Sequence, residues 1–429
     1  MKRYPIVVLN KGKEAAVKRF HPWLFTGAIQ RTIGACVPGD IVEVFSFDRE
    51  YLATGHYQEG SIAVKIFSFQ QKEIDYAFWK EKIAAAYRLR TSLGLTGSES
   101  TNAYRLVFTE GDGLPGLIID WYNGVAVIQT HCLGMHLIKP LIVDVLKEIY
   151  GERLRAVYDK SIETMLPFAS ESIKKDNHSD EAKSKRQTAN SEHRTANNEQ
   201  RITNNEIRNS YLFGFPQKGL IRETGHLFNV DWEKGQKTGF FLDQRSNRMF
   251  AQFYAKDRKV LNAFCYSGAF SVYALKGGAS RIHSVDSSKQ AIEWTAENIA
   301  LNGFGKEYHQ TFVTDIKKFL VQPGDNYDMI ILDPPAFAKH HNITHNALQA
   351  YIHINAAAIR RINPGGLLMT FSCSQAISRE MFRSAVQAAA LETGRAIHIL
   401  HNLSQGPDHP VSIYHPEGEY LKGLILEID

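Results

Sequence analysis

Residues 259–276, with the sequence KVLNAFCYSGAFSVYALK, determine the fold class of this 429-residue chain. The apolar run 260–264 predicts a buried strand, residues 265–268 predict a tight loop, and residues 270–276 predict a helix. A strand, a loop and a helix in this order form the first half of a β-α-β unit. The segment therefore predicts an open, mostly parallel sheet with helices packed against it.

The same alternation of strands and helices continues towards the C-terminus. Further strands are predicted at 281–285, 308–313, 329–332, 367–372, 396–403 and 420–428. Helices are predicted at 289–301, 316–320, 349–362 and 379–391. These patterns predict the α/β fold class, with a mixed, mostly parallel sheet.

The first 222 residues show other patterns. Residues 1–70 alternate short β-type runs with turns, which predicts a small β-barrel-like domain. Residues 71–222 combine helical and strand-like runs, which predicts an α+β middle domain. Within it, residues 170–209 are nearly free of apolar side chains. Such a segment cannot bury enough surface to offset its ordering entropy, so we predict a disordered insertion.

The composition favours a cytoplasmic protein. The four cysteines, Cys36, Cys132, Cys265 and Cys373, are far apart and match neither a metal-ligand spacing nor a disulfide framework. We therefore expect reduced thiols and no metal site. The first residues lack the apolar core of a signal peptide, and no apolar run is long enough to span a bilayer, so no membrane association is expected.

The charge distribution permits a polyanionic partner. The net charge is +5 and the isoelectric point is about 8.8. The clearest basic cluster lies within the first twenty residues and includes Lys11, Lys13 and Arg19. These side chains could contact RNA phosphates, but a solvated basic face explains the cluster equally well.

The loop at 265–268 and the acid after the next strand indicate a nucleoside-type cofactor. The loop has one glycine and no following lysine, so it matches neither the dinucleotide fingerprint nor a phosphate-binding loop. Asp286 ends the second strand, where a carboxylate can accept both hydroxyls of a ribose; a helix cap is the alternative. Asp315 follows the third strand and could accept the adenine amino group, or cap the helix that begins at Ile316.

Two further strand ends carry candidate catalytic residues. Asp333 precedes Pro334 and Pro335, which fix the backbone and hold the acid at the end of a buried strand. Cys373, in the stretch TFSCS at 370–374, follows another apolar run. Carbon 5 of cytosine is a poor nucleophile, and its methylation requires a thiolate to add at carbon 6. Cys373 is our candidate nucleophile, and Asp333 is the acid beside N3 and the exocyclic amine.

Two other functions remain open from these residues alone. An RNA N-methyltransferase would use Asp333 to orient a nitrogen and would need no thiol. A noncatalytic RNA-binding or ribosome-assembly protein could retain a methyltransferase fold.

Several motifs together resemble those of bacterial 23S ribosomal RNA cytosine-C5 methyltransferases. The motifs are HPWLF at 21–25, GDGLPG at 111–116, KTGFFLDQR at 237–245, LNAFCYSG at 261–268, DPP at 333–335, TFSCS at 370–374, DHP at 408–410 and YLKG at 420–423. The resemblance implies a PUA-like RNA-binding domain at 1–70, a middle domain at 71–222 and a Rossmann-like class I methyltransferase domain at 223–429. It also implies S-adenosylmethionine as cofactor and 23S ribosomal RNA as partner, and it leaves a homodimer open.

The resemblance also implies roles for individual residues. The family holds its cofactor against Tyr266, Ser267 and Gly268, with Asp286 at the ribose, Asp315 near the adenine and Asp333 beside the reacting groups. It places Asp243, Gln244, Arg245 and Pro334 by the target base, although the pattern at 239–245 alone predicts only a hairpin or loop. Cys373 is the nucleophile. Pro335 stands where two-cysteine C5 methyltransferases carry a second cysteine, so the base that removes the C5 proton is unassigned; water and Asp333 are both candidates.

Overall fold

The computed structural model describes residues 4–166, 208–217, 219–337 and 344–429. These residues form two compact units. The first comprises Met1–Leu89, Arg105–Gln217 and Trp232–Gly239, and the second comprises Arg90–Tyr104, Lys218–Asp231 and Phe240–Asp429. All but two residues of the insertion predicted at 170–209 lie outside the described part of the chain.

The first unit begins with a six-stranded sheet, as its alternating β-type runs predicted. Its strands are β1 (Ile6–Leu9), β2 (Trp23–Phe25), β3 (Ile29–Ile33), β4 (Ile41–Phe45), β5 (Tyr51–Tyr57) and β6 (Ile62–Ser68), with the short helix α1 (Ala15–Lys18) after β1. The spatial order is β2-β6-β5-β4-β1-β3, and every pair except the parallel β1–β4 pair is antiparallel. Alternate side chains of these strands form one apolar core.

A second, five-stranded sheet has the order β11-β10-β9-β8-β7. Its strands are β7 (Ala103–Phe108), β8 (Leu117–Tyr122), β9 (Val125–Thr130), β10 (Ala156–Asp159) and β11 (Ser210–Gly214). The accompanying helices are α2 (Tyr76–Ser92), α3 (Leu133–Leu137) and α4 (Lys139–Tyr150). All six residues of the central strand β9 are buried, as expected for a strand covered on both faces.

The second unit has a hairpin, β12 (Leu220–Glu223) and β13 (His226–Asn229), and a seven-stranded sheet. The sheet contains β14 (Lys259–Ala263), β15 (Arg281–Asp286), β16 (His309–Val313), β17 (Tyr327–Leu332), β18 (Ile362–Ser372), β19 (Ile397–Leu403) and β20 (Lys422–Ile428). Its helices are α5 (Arg245–Tyr254), α6 (Ala269–Lys276), α7 (Lys289–Leu301), α8 (Ile316–Val321), α9 (Thr344–Ile359) and α10 (Arg379–Thr393).

The order of this sheet is β16-β15-β14-β17-β18-β20-β19. The first five strands in chain order run parallel, and β20 pairs antiparallel with both β18 and β19. The strand order reverses beside β14, whose neighbours are β15 and β17. Ligands of open α/β sheets bind at the carboxyl ends of the strands next to such a reversal.

The helix predicted at 349–362 ends earlier, at Ile359, and Ile362 already begins β18. Pro364 cannot continue a helix because it lacks an N–H donor, and Gly365 has a φ of +74°, which an L side chain rarely adopts. No helix among the described residues is long and apolar enough to cross a membrane.

Candidate active site

The register of the sheet brings four strand ends to one level. Ala263 of β14 pairs with Val285 of β15 on one side and with Leu332 of β17 on the other. Leu332 in turn pairs with Thr370 of β18. The residues that follow these four are the loop at 264–268, Asp286, Asp333 and the stretch that ends in Cys373. The structure therefore gathers the predicted cofactor loop, both acids and the thiol along one edge of one sheet.

The loop after β14 has a strained backbone. Phe264 and Tyr266 are not glycines, yet their φ angles are +60° and +48°. Each such residue costs about 1–3 kcal/mol and persists only where its surroundings fix it. Here Thr295 Oγ1 donates to the carbonyl of Tyr266 at 2.8 Å, and Asn298 Nδ2 donates to that of Ser267 at 2.9 Å. Two side chains of helix α7 thus hold the loop in place by donating hydrogen bonds to the carbonyl groups of the loop.

The loop lies so close to helix α7 that position 268 requires a glycine. A Cβ atom at this position would lie 2.7 Å from Thr295 Cγ2 and 3.0 Å from Thr295 Cα, and the φ of Gly268 is +76°. Both the contact and the backbone angle exclude a side chain. The loop therefore packs directly on α7 and forms a fixed turn at the strand ends.

Asp286 joins the loop to the start of α7. Its Oδ2 accepts a hydrogen bond from the backbone N–H of Tyr266 at 3.1 Å, and its Oδ1 accepts one from that of Ser288 at 2.9 Å. The N-cap of α7 is Ser288, whose hydroxyl oxygen accepts from Ala291 N–H. Each carboxylate oxygen of Asp286 has a second lone pair, so the group can still accept ribose hydroxyls.

Asp315 has the capping role that was its alternative explanation. Its Oδ1 accepts from the backbone N–H of Lys318 at 3.1 Å and caps α8. A contact with adenine stays a prediction for this residue.

Asp333 is held by a residue far away in the chain. Gln244 Nε2 donates to Asp333 Oδ2 at 3.0 Å, and Gln244 Oε1 accepts from Asn247 Nδ2 at 2.6 Å. The contact with Asn247 fixes which end of the Gln244 amide faces Asp333. Gln244 and Pro334 are buried, whereas Asp333 is partly exposed. This arrangement gives the carboxylate one fixed orientation at the end of β17.

Asp243, which precedes Gln244 in sequence, is held by hydrogen bonds within the second unit. Residues 242–244 form one 3-10 turn before α5, instead of the hairpin or loop predicted from the pattern. The Asp243 carboxylate accepts a hydrogen bond from the Tyr420 hydroxyl. The backbone carbonyl of Asp243 accepts one from Gly406 N–H at 3.0 Å.

Arg245 is part of a buried ion-pair network. Its guanidinium donates to Asp408 Oδ2 at 3.0 Å, to Glu223 Oε2 at 3.3 Å and to the Ala103 carbonyl at 2.7 Å. Burial lowers the pKa of Arg245, but the carboxylates of Asp408 and Glu223 outweigh it and raise that pKa above its ordinary value. A contact between Arg245 and RNA stays a prediction, and it would require breaking these ion pairs.

Cys373 differs from the buried cysteines in its exposure. Cys132 and Cys265 are buried, while Cys36 and Cys373 are partly exposed. Burial raises the pKa of Cys265 to about 12, so this thiol stays protonated and serves packing. The serines on either side of Cys373 are fixed by Tyr351 of α9: Ser372 Oγ donates to its hydroxyl at 2.9 Å, and Ser374 Oγ lies 3.2 Å from it. Cys373 is therefore a reachable thiol on a rigid turn.

The predicted RNA contacts Lys11, Lys13 and Arg19 lie in the first unit. All three are exposed and flank the short helix α1. Lys422 belongs to the YLKG motif at 420–423, but no role of its own was predicted for it from the sequence. Two sequence signals could have found it: its place in that motif, and a lysine at the start of an apolar strand.

Comparisons with known proteins identify the family of this chain. Residues 186–422 match the model of the S-adenosylmethionine-dependent methyltransferase family, and residues 7–69 match that of the PUA-like domain. Ribosomal RNA large subunit methyltransferase I of Aeromonas hydrophila is 35% identical over 428 residues, covering 98% of both chains. The protein of the same name from Pseudoalteromonas atlantica is 37% identical, covering 98% of this chain and 99% of its own. The chain belongs to the S-adenosylmethionine-dependent methyltransferase family.

Solved structures show the same fold for this methyltransferase. A protein from Streptococcus mutans, assigned to the SAM-dependent methyltransferases, has a TM-score of 0.77 at 20% identity, covering 98% of this chain and 99% of its own. A methyltransferase solved in complex with SAH has a TM-score of 0.78 at 21% identity over the same shares.

The site of the methyltransferase fits S-adenosylmethionine. The cofactor has no pyrophosphate, and the turn at 265–268 provides a tight glycine-containing backbone without a phosphate-binding lysine. The Asp286 carboxylate, fixed by two backbone N–H groups, has acceptor capacity left for a ribose. The methyltransferase therefore uses S-adenosylmethionine, as its family does.

Proposed function

We propose that this methyltransferase modifies C5 of a cytosine in 23S ribosomal RNA and that Cys373 is its nucleophile. The observation that carries the proposal is the register Leu332–Thr370, which sets Asp333 and the Cys373 turn side by side at the ends of adjacent strands. The full-length relatives named ribosomal RNA large subunit methyltransferase I support the substrate class. Such a substrate also puts the reaction in the cytoplasm.

The residues of the chain divide the chemistry between them. The Cys373 thiolate adds to carbon 6 of the cytosine, which moves electron density onto carbon 5 and makes it nucleophilic. S-adenosylmethionine supplies the methyl group. The Asp333 carboxylate, oriented by Gln244, accepts a hydrogen bond from the exocyclic amino group and so positions the ring. Loss of the C5 proton, to water or to Asp333, then breaks the bond between sulfur and carbon 6 and restores the thiolate.

The cofactor is held, in this proposal, by the groups already gathered at the sheet edge. Tyr266, Ser267 and Gly268 form its turn, Asp286 accepts the ribose hydroxyls, and Asp315 lies near the adenine. Tyr266 is fixed between two aromatic rings, those of Phe241 at 5.2 Å and Trp294 at 5.7 Å between centroids. A rigid Tyr266 keeps the cofactor turn in one conformation.

RNA binding is assigned to a separate part of the chain. We divide the protein into a PUA-like domain at 1–70, a middle domain at 71–222 and a catalytic domain at 223–429. Exposed Lys11, Lys13 and Arg19 of the first domain contact RNA phosphates, while the catalytic domain takes the target base out of its stack. The resemblance leaves a homodimer open, and sedimentation equilibrium of the full chain would test for one.

The proposal is tested by Cys373→Ala in the full chain, with methyl transfer to ribosomal RNA and S-adenosylmethionine binding measured separately. We expect lost turnover and retained binding. Full turnover would instead favour an RNA N-methyltransferase that relies on Asp333. A wild-type protein that binds no S-adenosylmethionine would favour a noncatalytic RNA-binding protein.

A further inference from the structure

A buried lysine lies beside the proposed nucleophile. Lys422 is the first residue of β20, stands opposite Ser372 in the antiparallel ladder with β18, and is only 3% exposed. Lysine is almost never this buried unless its charge is paired, because a buried ammonium loses its hydration. This position therefore needs a physical explanation.

Two hydrogen bonds fix the ammonium group next to the Cys373 turn. Lys422 Nζ donates to the Ser374 carbonyl at 2.7 Å and to the Tyr420 carbonyl at 2.8 Å. Both acceptors are neutral, so they hold the ammonium without neutralising its charge. Because Ser374 directly follows Cys373, the cation is anchored to the segment that carries the thiol.

The other charged and titratable groups around the pair come from three elements. Arg379 of α10 and Glu419, which precedes β20, form an ion pair with each other. Their effects on the pKa of Lys422 are opposite: Arg379 lowers it and Glu419 raises it. Tyr351 of α9 is bonded to Ser372 and Ser374, and burial raises its pKa, so its hydroxyl is neutral at physiological pH.

The thiol is the group that favours the charged form of Lys422 most. Burial lowers the pKa of Lys422 to about 8, and the electrostatic interaction with Cys373 is the largest effect in the opposite direction. An interaction between two groups is mutual, so the ammonium that a thiolate stabilises must stabilise that thiolate equally.

We propose that the Lys422 ammonium is the counter-ion of the Cys373 thiolate. The thiol proton passes to solvent, and the resulting thiolate is kept in its reactive form by the fixed cation, both before addition to carbon 6 and after its expulsion. Lys422 acts through sulfur and is a positioning residue. The inference rests on the proposed function in one respect, that Cys373 is the nucleophile.

The test is the pH dependence of Cys373 alkylation by iodoacetamide in the full chain, without RNA, read by mass spectrometry of the peptide that contains Cys373. We expect Lys422→Met to raise the midpoint of the alkylation profile by about 1 pH unit or more, because a neighbouring opposite charge shifts a pKa by about 1–3 units. Alkylation at pH 7 should fall about tenfold. Lys422→Arg should restore most of the wild-type midpoint, and Lys306→Met, which removes an exposed lysine, should not change it.

If Lys422→Met left the midpoint of Cys373 alkylation unchanged, the proposal that Lys422 is the counter-ion would be rejected. If that variant fails to fold, the wild-type protein still decides the matter: its Cys373 midpoint must lie below about 8.5, the ordinary value for a thiol, and a higher midpoint rejects the proposal. Alkylation requires neither RNA nor methyl transfer. Full turnover of Cys373→Ala would therefore reject the proposed function while leaving the thiol titration intact.

Discussion

Gln244 and Asp333, 89 residues apart in sequence, are joined by a hydrogen bond of 3.0 Å from Nε2 to Oδ2. Gln244 lies in the turn before α5, and Asp333 directly follows the last residue of β17. Because Asn247 occupies the oxygen of the Gln244 amide, only its NH₂ group can face the carboxylate. The contact supports an ionised Asp333 that accepts hydrogen bonds from a base.

Gln244→Glu tests that contact with little change of shape. The new carboxylate keeps its acceptor for Asn247 but faces Asp333 with a like charge, which raises the pKa of the acid pair. Since the ionised form is the active one, we expect activity to be lost at low pH and regained as the pH rises. The acid limb of the pH–rate profile should move upward by about 1 unit or more. A profile that coincides with that of the wild type would show that Asp333 does not act as a carboxylate.

Gly268→Ala tests the cofactor turn. The added methyl group would meet Thr295 at 2.7 Å in a backbone conformation unsuited to alanine. We expect S-adenosylmethionine affinity to fall at least tenfold, with overpacking adding about 1–3 kcal/mol to the cost of the backbone angle. Calorimetric titration measures the affinity and urea unfolding measures the stability.

The matched control for that variant is Gly278→Ala. Gly278 also has a positive φ, +87°, but its nearest neighbours would be 3.7 Å from a new Cβ. It should lose only about 1–2 kcal/mol of stability and keep its cofactor affinity. Equal affinity losses in the two variants would refute a specific role for the turn.

Arg245→Met separates a structural role from RNA binding. Removing the guanidinium breaks the ion pair with the buried carboxylate of Asp408 and removes one of the two arginines that pair with buried Glu223, which keeps Arg248. We expect a loss of about 3–5 kcal/mol in the free energy of unfolding. The control Arg360→Met breaks an exposed pair with Glu392 and should cost less than about 1 kcal/mol. An Arg245→Met protein of normal stability that binds RNA poorly would support the RNA contact predicted from sequence.

These residues show how far the sequence could predict the site. Strand ends were predictable because buried parallel strands are continuous apolar runs, so Asp286, Asp333 and Cys373 could be assigned to one edge of a sheet. The residues that hold these side chains in place could not be predicted. The bond between Gln244 and Asp333 and the ion pairs of Arg245 depend on tertiary packing between distant segments. The role of Lys422 could not be predicted from the YLKG motif, because its burial follows from the antiparallel pairing of β20 with β18.

The basic cluster at the N-terminus predicts a salt-dependent contact with RNA. Replacing Lys11, Lys13 and Arg19 with glutamine removes three exposed cations. Each phosphate contact contributes about 0.7–0.9 to the slope of log affinity against log salt, so the slope should decrease by about 2. Filter binding to ribosomal RNA over a salt series measures it. The control Lys147→Gln replaces an exposed lysine paired with Asp144 and should leave the slope almost unchanged. If the triple variant also kept the wild-type slope, the basic cluster would be only a solvated face.

The central claim, that Cys373 attacks a cytosine ring, is tested most directly by trapping. RNA that carries 5-fluorocytosine at the target position has no C5 proton to lose, so the bond between sulfur and carbon 6 cannot break after methyl transfer. With S-adenosylmethionine present, the wild-type protein should form a covalent complex whose RNA fragment maps to the peptide containing Cys373, and Cys373→Ala should form none. An enzyme that methylates normal RNA fully but forms no such complex, or a complex mapped to another residue, would contradict the account.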